Sequence, residues 1–295
     1  MTRFQHVAVQ SAFGPHTTLV AGIEMAGRWW FTTSADSAKV RMLRRHPIAT
    51  VLMVGENEWT MSMGRATVLD VRHPLDGLAD PVAAGLAGVA IARIGFNYVD
   101  QLLGYVADRN DVPDQWRPTG RVLVVVQHEH RLKSSNGRLV SATGVFADDG
   151  PLPGVARPQR RRIDPTLRAS LTAEQGSLLD VAGSCVIGLA TANGPVAIPG
   201  WWDPAAAAVA VDRRALTRLR VDLDGGCSLT LDRSGDRRPS AKIGVMVRGD
   251  VSLLGERARA DRGPQAATLA MAVLGVRTRR ITVWDGFGSE TRLAS

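Results

Sequence analysis

The residues with the clearest chemistry lie in one short stretch, Ser34-Ala35-Asp36-Ser37-Ala38-Lys39-Val40-Arg41. Serine and aspartate ahead of a run of helix formers are N-cap residues, and the first turn of a helix carries unpaired N–H groups and partial positive charge. Thr33, Ser34 and Ser37 can therefore donate to phosphate oxygens, with Lys39 and Arg41 supplying full positive charges. The same residues also describe a capped helix start, with Lys39, Arg41, Arg44 and Arg45 as a solvated basic face. The elements around the stretch distinguish the two readings.

Those elements begin with three strand-like runs, Phe4 to Phe13, Thr17 to Met25 and Trp29 to Thr33, separated by turns at Gly14-Pro15 and Ala26-Gly27. A helix of about three turns spans Ser34 to Pro47. Ile48 to Val54 and Trp59 to Val71 form a hairpin, Pro81 to Val106 is helical, and Arg121 to His128 is a last strand. The order then repeats. Ser184 to Gly194 is a strand ending in a turn, Ala206 to Val211 a strand, and Asp212 to Leu219 a short helix. Cys227 to Leu231 and Ala241 to Leu254 are strands, Pro264 to Leu274 a helix, and Arg280 to Trp284 a closing strand. Gly249-Asp250-Val251-Ser252-Leu253 echoes Gly64-Arg65-Ala66-Thr67-Val68, and matching Arg121 with Arg280 gives the first copy the longer helical excursion. The Pro-, Gly- and Arg-rich stretch 151–162 reads as a linker between domains 1–150 and 163–295. Asp164 to Val181, with a Thr172-to-Gln175 capping box, is helical and introduces the second copy.

Composition sets outer limits. At 295 residues, with 45% hydrophobic and 22% charged residues, the chain can build two packed domains and is neither disordered nor fibrous. A net charge of +8 raises the prior for an anionic partner. The only cysteines, Cys185 and Cys227, exclude a disulfide framework, which makes a reducing cytoplasm the expected compartment. The N-terminal segment has no apolar core, and Pro81 to Ile94 is short and interrupted by Arg93, so neither a signal peptide nor a membrane span is expected.

Other candidates are weaker. His128-Glu129-His130 puts two histidines on one strand face, yet no third ligand stands at metal-binding spacing, and a solvated strand end is the expected reading. Arg157, Arg160, Arg161 and Arg162 could touch nucleic acid, but no recognition motif accompanies them. Trp29, Trp30 and Trp59 suit a cofactor wall or barrel packing, and Trp201 and Trp202 a domain interface or a turn. Walker, nucleophile-elbow and dinucleotide fingerprints are absent.

The stretch from Trp29 to Val71, WWFTTSADSAKVRMLRRHPIATVLMVGENEWTMSMGRATVLDV, resembles the pyridoxamine 5'-phosphate oxidase-like, or flavin/deazaflavin oxidoreductase, family. There a strand ending in Thr or Ser meets a helix opening with Ser-x-Lys and continuing to Leu-Arg-Arg-x-Pro. The resemblance is clear over Phe4 to Val71 and in the second copy covers mainly the order of elements. It implies a mainly β chain with some α, built as two tandem split β-barrels with short flanking helices. It further implies an oxidoreductase that binds FMN or coenzyme F420 and passes hydride to or from a small organic substrate, the cofactor carrying that chemistry.

Carried over by position, Thr32, Thr33, Ser37 and Lys39 match residues that hold the cofactor phosphate or pack near its ring. Trp59 matches the hairpin strand bordering the cofactor. Ala38 stands where some FMN enzymes have Arg, and the Lys-x-Arg and Leu-Arg-Arg-x-Pro combination looks more like the deazaflavin branch, which reduces unsaturated carbon bonds. In the second copy the Lys39 position falls at about Ala215, so an empty or altered site is expected there. Family members are commonly homodimers with cofactor sites at the interface. The tandem chain is therefore expected to form an intramolecular pseudo-dimer, with a homodimer of chains also compatible, and to need no membrane or nucleic-acid partner. The alternatives from other classes are a non-catalytic flavin- or haem-binding protein and, on charge alone, a nucleic-acid-associated protein.

Overall fold

In a computed structural model, the chain is described at residues 4–70, 72–73, 78–108, 110, 112–114, 117, 120–151, 163–232, 239–259 and 269–294. The linker segment 152–162, with its arginines, lies outside the described residues.

The first half contains β1 (Phe4–Ser11), β2 (Gly14–Met25), β3 (Arg28–Ser34), α1 (Ala38–Arg45), β4 (Ile48–Val54), β5 (Glu58–Leu69), α2 (Pro81–Asn97), α3 (Val99–Ala107), β6 (Arg121–Ser135) and β7 (Arg138–Thr143). Its strands lie in the order β3-β2-β1-β4-β5-β6-β7, and β3 also pairs with β6. That pairing closes a six-stranded barrel and removes the open edges of a flat sheet. The second half contains α4 (Pro165–Ala169), α5 (Ala173–Asp180), β8 (Gly183–Thr191), β9 (Gly194–Asp203), β10 (Ala208–Asp212), α6 (Arg213–Leu219), β11 (Val221–Asp232), β12 (Ile243–Arg259), β13 (Leu269–Asp285) and β14 (Gly288–Leu293). Its order, β10-β9-β8-β11-β12-β13-β14 with β10 on β13, repeats the first strand for strand.

Alternation builds each interior. Val122, Val124 and Val126 of β6 point into the first barrel with Val7, Val9, Phe31 and Val51. Leu123 and Val125 point out and are covered, with Trp30 and Ile23, by Ala83, Ala90 and Ile94 of α2. Burial on both faces explains why β6 opens as an unbroken apolar run. Two glycines permit the matching strand crossings. A Cβ on Gly64 would lie 1.7 Å from the Gln127 carbonyl oxygen, and one on Gly249 1.9 Å from that of Arg277. Each follows a register shift, after Met63 on β5 and after Arg248 on β12. The sequence echo at these glycines is thus a shared bulge.

Several expectations change. The helix expected over Pro81 to Val106 is broken at Tyr98, whose phenol donates to the Gly22 carbonyl (2.9 Å) and accepts from the Gly22 N–H (3.1 Å). The helix over Asp164 to Val181 is two short ones, α4 and α5, with the Thr172–Gln175 capping box opening α5. Of the helix expected over Pro264 to Leu274, 264–268 lie outside the described residues and Leu269 to Leu274 belong to β13, which pairs with both β10 and β12. Pairing on two sides outweighs the helix propensity of its alanines.

Strands β7, β9 and β14 were not expected. Asn136 and Gly137, both at positive φ, make the tight β6–β7 hairpin turn. Pro195 and Pro199 argue against a strand, but β9 pairs with β10 only from Gly200 onward, so neither proline is asked to donate to that neighbour. Register also matches Arg121 with Met271, not with Arg280: Ser34 faces Arg121 and Asp212 faces Met271 at the barrel closures.

The barrels pack through equivalent strands. β2 lies on β8 and β11, while β4 and β1 lie on β9. Thr17 Oγ1 and Ser228 Oγ are 2.8 Å apart, Thr230 Oγ1 donates to the Thr17 carbonyl at 3.1 Å, and Thr50 Oγ1 donates to the Pro195 carbonyl. An apolar cluster continues from the second interior onto Leu52, Met61, Met63 and Leu132 of the first barrel.

Candidate functional site

The end of β3 and the start of α1 form a compact polar corner. Ser37 caps α1, its hydroxyl accepting from the Val40 N–H at 3.3 Å, and Thr33 Oγ1 donates to Ser37 Oγ at 3.5 Å. The Ser34 carbonyl accepts from the Ser37 N–H at 3.1 Å. Arg121, opposite Ser34 on β6, donates to both the carbonyl and the hydroxyl of Thr32, at 3.1 and 2.9 Å. The far end of α1 is held by Arg44, which donates to the buried Asp70 at 3.1 Å. Arg72 donates to the same carboxylate and holds it well below the usual carboxylate range. Leu43 is buried in the barrel, so Leu43 and Arg44 of the Leu-Arg-Arg run anchor the helix, while Arg45 is exposed.

Lys39 lies in this corner, only 7% exposed, with its ammonium 5.8 Å from the centre of the Phe31 ring. Burial, with a smaller contribution from the Arg121 charge, pushes it down to about 7. Among the described residues no carboxylate pairs with Lys39 or Arg121. A buried ammonium without a counter-ion is costly and disposes the corner to take up an anion. His16 on β2 lies close enough to feel Lys39. Burial first, then the charges of Arg248 and Lys39, push it down to about 3, so it is neutral at ordinary pH. Its Nδ1, the Thr18 hydroxyl and Arg248 Nε are buried without hydrogen-bond partners.

Of the residues singled out in the sequence, Thr32, Thr33, Ser34, Ser37 and Lys39 gather at this corner. Arg41 does not join them: it is exposed and donates to the Asp36 carbonyl. Trp59 is half-buried against the apolar cluster that runs between the barrels. Trp29 and Trp30 are fully buried, one inside the first barrel and one beneath α2. Trp202 is buried with its indole donating to the Leu179 carbonyl at 2.9 Å, while Trp201 is exposed. The basic residues missed around it are His16 and Arg121, with Arg248 acting on His16. Arg121 carried a readable signal, a lone cation opening an apolar strand, whereas the other two become relevant only through folding.

His128 and His130 turn to different partners. His128 Nε2 is 3.4 Å from Glu24, and its ring meets Trp29 edge-on at 5.8 Å; His130 meets Phe146 edge-on at 5.9 Å. Among the described residues no group of three potential metal ligands occurs. In the second barrel the residues of α6 buried against the sheet are Ala215, Leu216 and Leu219, with the spacing of Lys39, Val40 and Leu43, while the residue level with Lys39 counted from the N-cap, Arg214, is exposed. By burial the Lys39 position is therefore held by Ala215.

The chain is a tandem of two split barrels. No protein-family model and no curated protein matches it. Among solved structures it is similar to a pyridoxamine 5'-phosphate oxidase-related, FMN-binding protein of Nostoc punctiforme, at 17% identity and TM-score 0.33, over 45% of this chain and 74% of that one. It is also similar to an F420 reductase, at 16% identity and TM-score 0.28, over 43% and 87%. A haem storage protein of Vibrio cholerae matches at 14% identity and TM-score 0.31, over 46% and 87%. The tandem architecture rests on the strand pairing itself. Among the described residues no helix is long and apolar enough to cross a membrane.

Proposed function

We propose that the chain is an oxidoreductase that binds FMN or coenzyme F420 by its phosphate-bearing tail at the Lys39 corner, and that hydride passes between the (deaza)flavin and a small organic substrate. The observation that carries this reading is the buried Lys39 without a described carboxylate partner, beside a helix start that Ser37 caps. An anion there would pair with Lys39 and favour its charged form, and it would receive donors from Ser37, the α1 N-terminus and, once turned from Ser37, the Thr33 hydroxyl. The bound cofactor would supply the hydride chemistry; the chain's residues bind its tail, exclude water and shape the pocket. Arg121 would hold Thr32 in place from β6 and add positive potential without giving up its two hydrogen bonds.

The deazaflavin branch is the favoured form of this proposal, on the Lys39-x-Arg41 and Leu43-Arg44-Arg45 pattern. The proposal includes domains 1–150 and 163–295 acting as an intramolecular pseudo-dimer in the cytoplasm. Fluorescence and absorbance titrations with FMN and with F420, run on the native protein and on Lys39→Ala, test it. Saturable binding of one of them, weakened about 10- to 100-fold by the substitution, is expected. If neither binds the native protein, the cofactor reading fails.

A further inference from the structure

The helical excursion of the first barrel carries apolar surface that the fold leaves uncovered. Among the described residues, eight of the thirteen large hydrophobic side chains that stand exposed fall within Leu78 to Val106, and the Phe96 ring, at 83%, is the most open of them. α2 turns Ala83, Ala90 and Ile94 onto its own barrel. Its opposite side shows Val82, Gly85, Val89, Ala92 and Phe96, all exposed. These positions are spaced alternately three and four residues apart, which is the repeat of a seam that packs against another helix. Val99, Leu103 and Val106 of α3, also exposed, continue that spacing past the break at Tyr98. Arg93 is the only charged residue in α2.

Gly85 and Gly88 point to what covers the seam. Both have ordinary helical backbone on the exposed side of α2, and a Cβ on either would meet nothing within 4 Å. Glycine costs a helix stability relative to alanine, and neither the backbone nor the packing of this chain asks for it here. What it offers at such a place is close approach of a second helix. The seam also alternates in size, large at Val82, Val89 and Phe96 and small at Gly85 and Ala92. Such a face is its own complement when it runs antiparallel. A two-fold axis level with Ala87 sets Val82 opposite Ala92 and Gly85 opposite Val89 of a second copy, and brings Phe96 level with the exposed Leu78. A parallel pairing would set large on large and leave gaps at the glycines, and only the antiparallel one opposes the two helix dipoles. α2 and α3 have no counterpart among the described residues of the second barrel, so the complementary face comes from another chain. A lipid surface fits less well. An interfacial helix turns a Lys- and Arg-rich side to water, whereas the reverse side of α2 is packed on the barrel.

We propose that the exposed side of α2 and α3 is a docking surface for a second copy of the chain, two tandem chains joining through antiparallel α2 helices about a two-fold axis. The contact is separate from the packing of the two barrels within one chain. α2 sits over Ile23, Trp30 and Val125, whereas the barrels meet through Thr17 and Thr50. It is also independent of what the Lys39 corner binds. α2 has 17 residues and is about 25 Å long. Leu78 and the α3 side chains extend the contact toward the roughly 800 Å² that each partner gives up in a stable dimer.

The experiment is sedimentation equilibrium of the full chain between about 1 and 100 µM, for native protein, Val89→Lys, Gly85→Leu and Val140→Lys. The expected result is a native dimer whose dissociation constant rises at least about 100-fold in Val89→Lys and in Gly85→Leu. Val140→Lys, at an exposed apolar residue of β7 away from the seam, should associate as native. Thermal unfolding at a concentration where all variants are monomeric should show Gly85→Leu at least as stable as native, since leucine is the better helix former and its Cβ enters open space. Loss of association in that variant therefore reports the contact and not the fold, and it decides the matter should Val89→Lys not fold. A native protein that is monomeric throughout overturns the proposal, as does a dimer that Val89→Lys and Gly85→Leu leave intact or that Val140→Lys weakens equally. A dimer broken by Val89→Lys but kept by Gly85→Leu overturns the antiparallel close approach. Vesicles of phosphatidylcholine and phosphatidylglycerol are the remaining arm: a monomer that sediments with them, and stops doing so in Val89→Lys, assigns the face to lipid and overturns the proposal.

Discussion

The two barrels share a strand order, a closing pair and a bulge glycine, yet differ in the side chains they place at matching positions. The first buries Lys39 beside Arg121 and His16, and the second buries Ala215 beside Met271 and Val196. The framework is fixed by backbone pairing and interior volume, which both copies satisfy with different residues. At the β2–β3 pair, Gly22 faces Phe31, and at the corresponding β9–β10 pair Trp202 faces Val209, so the large and small partners have changed places. Packing needs only the sum of such volumes to match. The proposed anion site needs specific charges, and the buried lysine it uses occurs in only one copy.

The largest effect that would sharpen this comparison is expected from Trp202→Ala, which empties an interior position and orphans the Leu179 carbonyl. Urea unfolding should show a loss of about 4 kcal/mol. Ala215→Lys would place an ammonium where no anion site exists and is expected to cost about 3 kcal/mol. A smaller cost, together with new pyrophosphate binding, would show that the mate site is open after all. Gly64→Ala and Gly249→Ala should each cost about 2 to 3 kcal/mol, because each added Cβ meets a carbonyl oxygen across the bulge. Unequal losses in the two barrels would break the claim that the bulges are equivalent.

The smallest effect is Lys39→Met, expected to stabilise the ligand-free protein by about 1 kcal/mol near pH 6.5. Lys39 titrates near 7 when folded but at an ordinary lysine value near 10.5 when unfolded. Unfolding therefore takes up a proton between about pH 7 and 10.5, and native stability from this group rises with pH across that window. The advantage of Lys39→Met over native should accordingly shrink by pH 9, and anion affinity of the native protein should weaken as pH rises through the same range. A difference that is constant with pH would show that Lys39 is not the titrating group.

Much of this was legible in the chain. The hairpin of Ile48 to Val54 with Trp59 onward, the helix after Ser37 and the echo between Gly64 and Gly249 depend on local propensity and near-neighbour spacing. Strands β7 and β14 were hidden because they are polar edge strands with little apolar alternation, and β9 because Pro195 and Pro199 read as breaks. Leu269 to Leu274 read as helix because alanine and leucine favour one, and only pairing on both sides made a strand of them.

By itself the sequence determined that two copies of one element order occur, that a capped helix carrying Lys39 opens within Ser34 to Ser37, and that the second copy lacks that lysine. These are properties of residues within a few positions of each other, where capping and periodicity act. The tertiary structure alone decided that Lys39 is buried instead of solvated, that Arg41 stays outside, and that Arg280 of the second barrel stacks on Phe13 of the first. Strand register and the packing of one barrel on the other set those relations, and they act between parts of the chain that no local pattern connects.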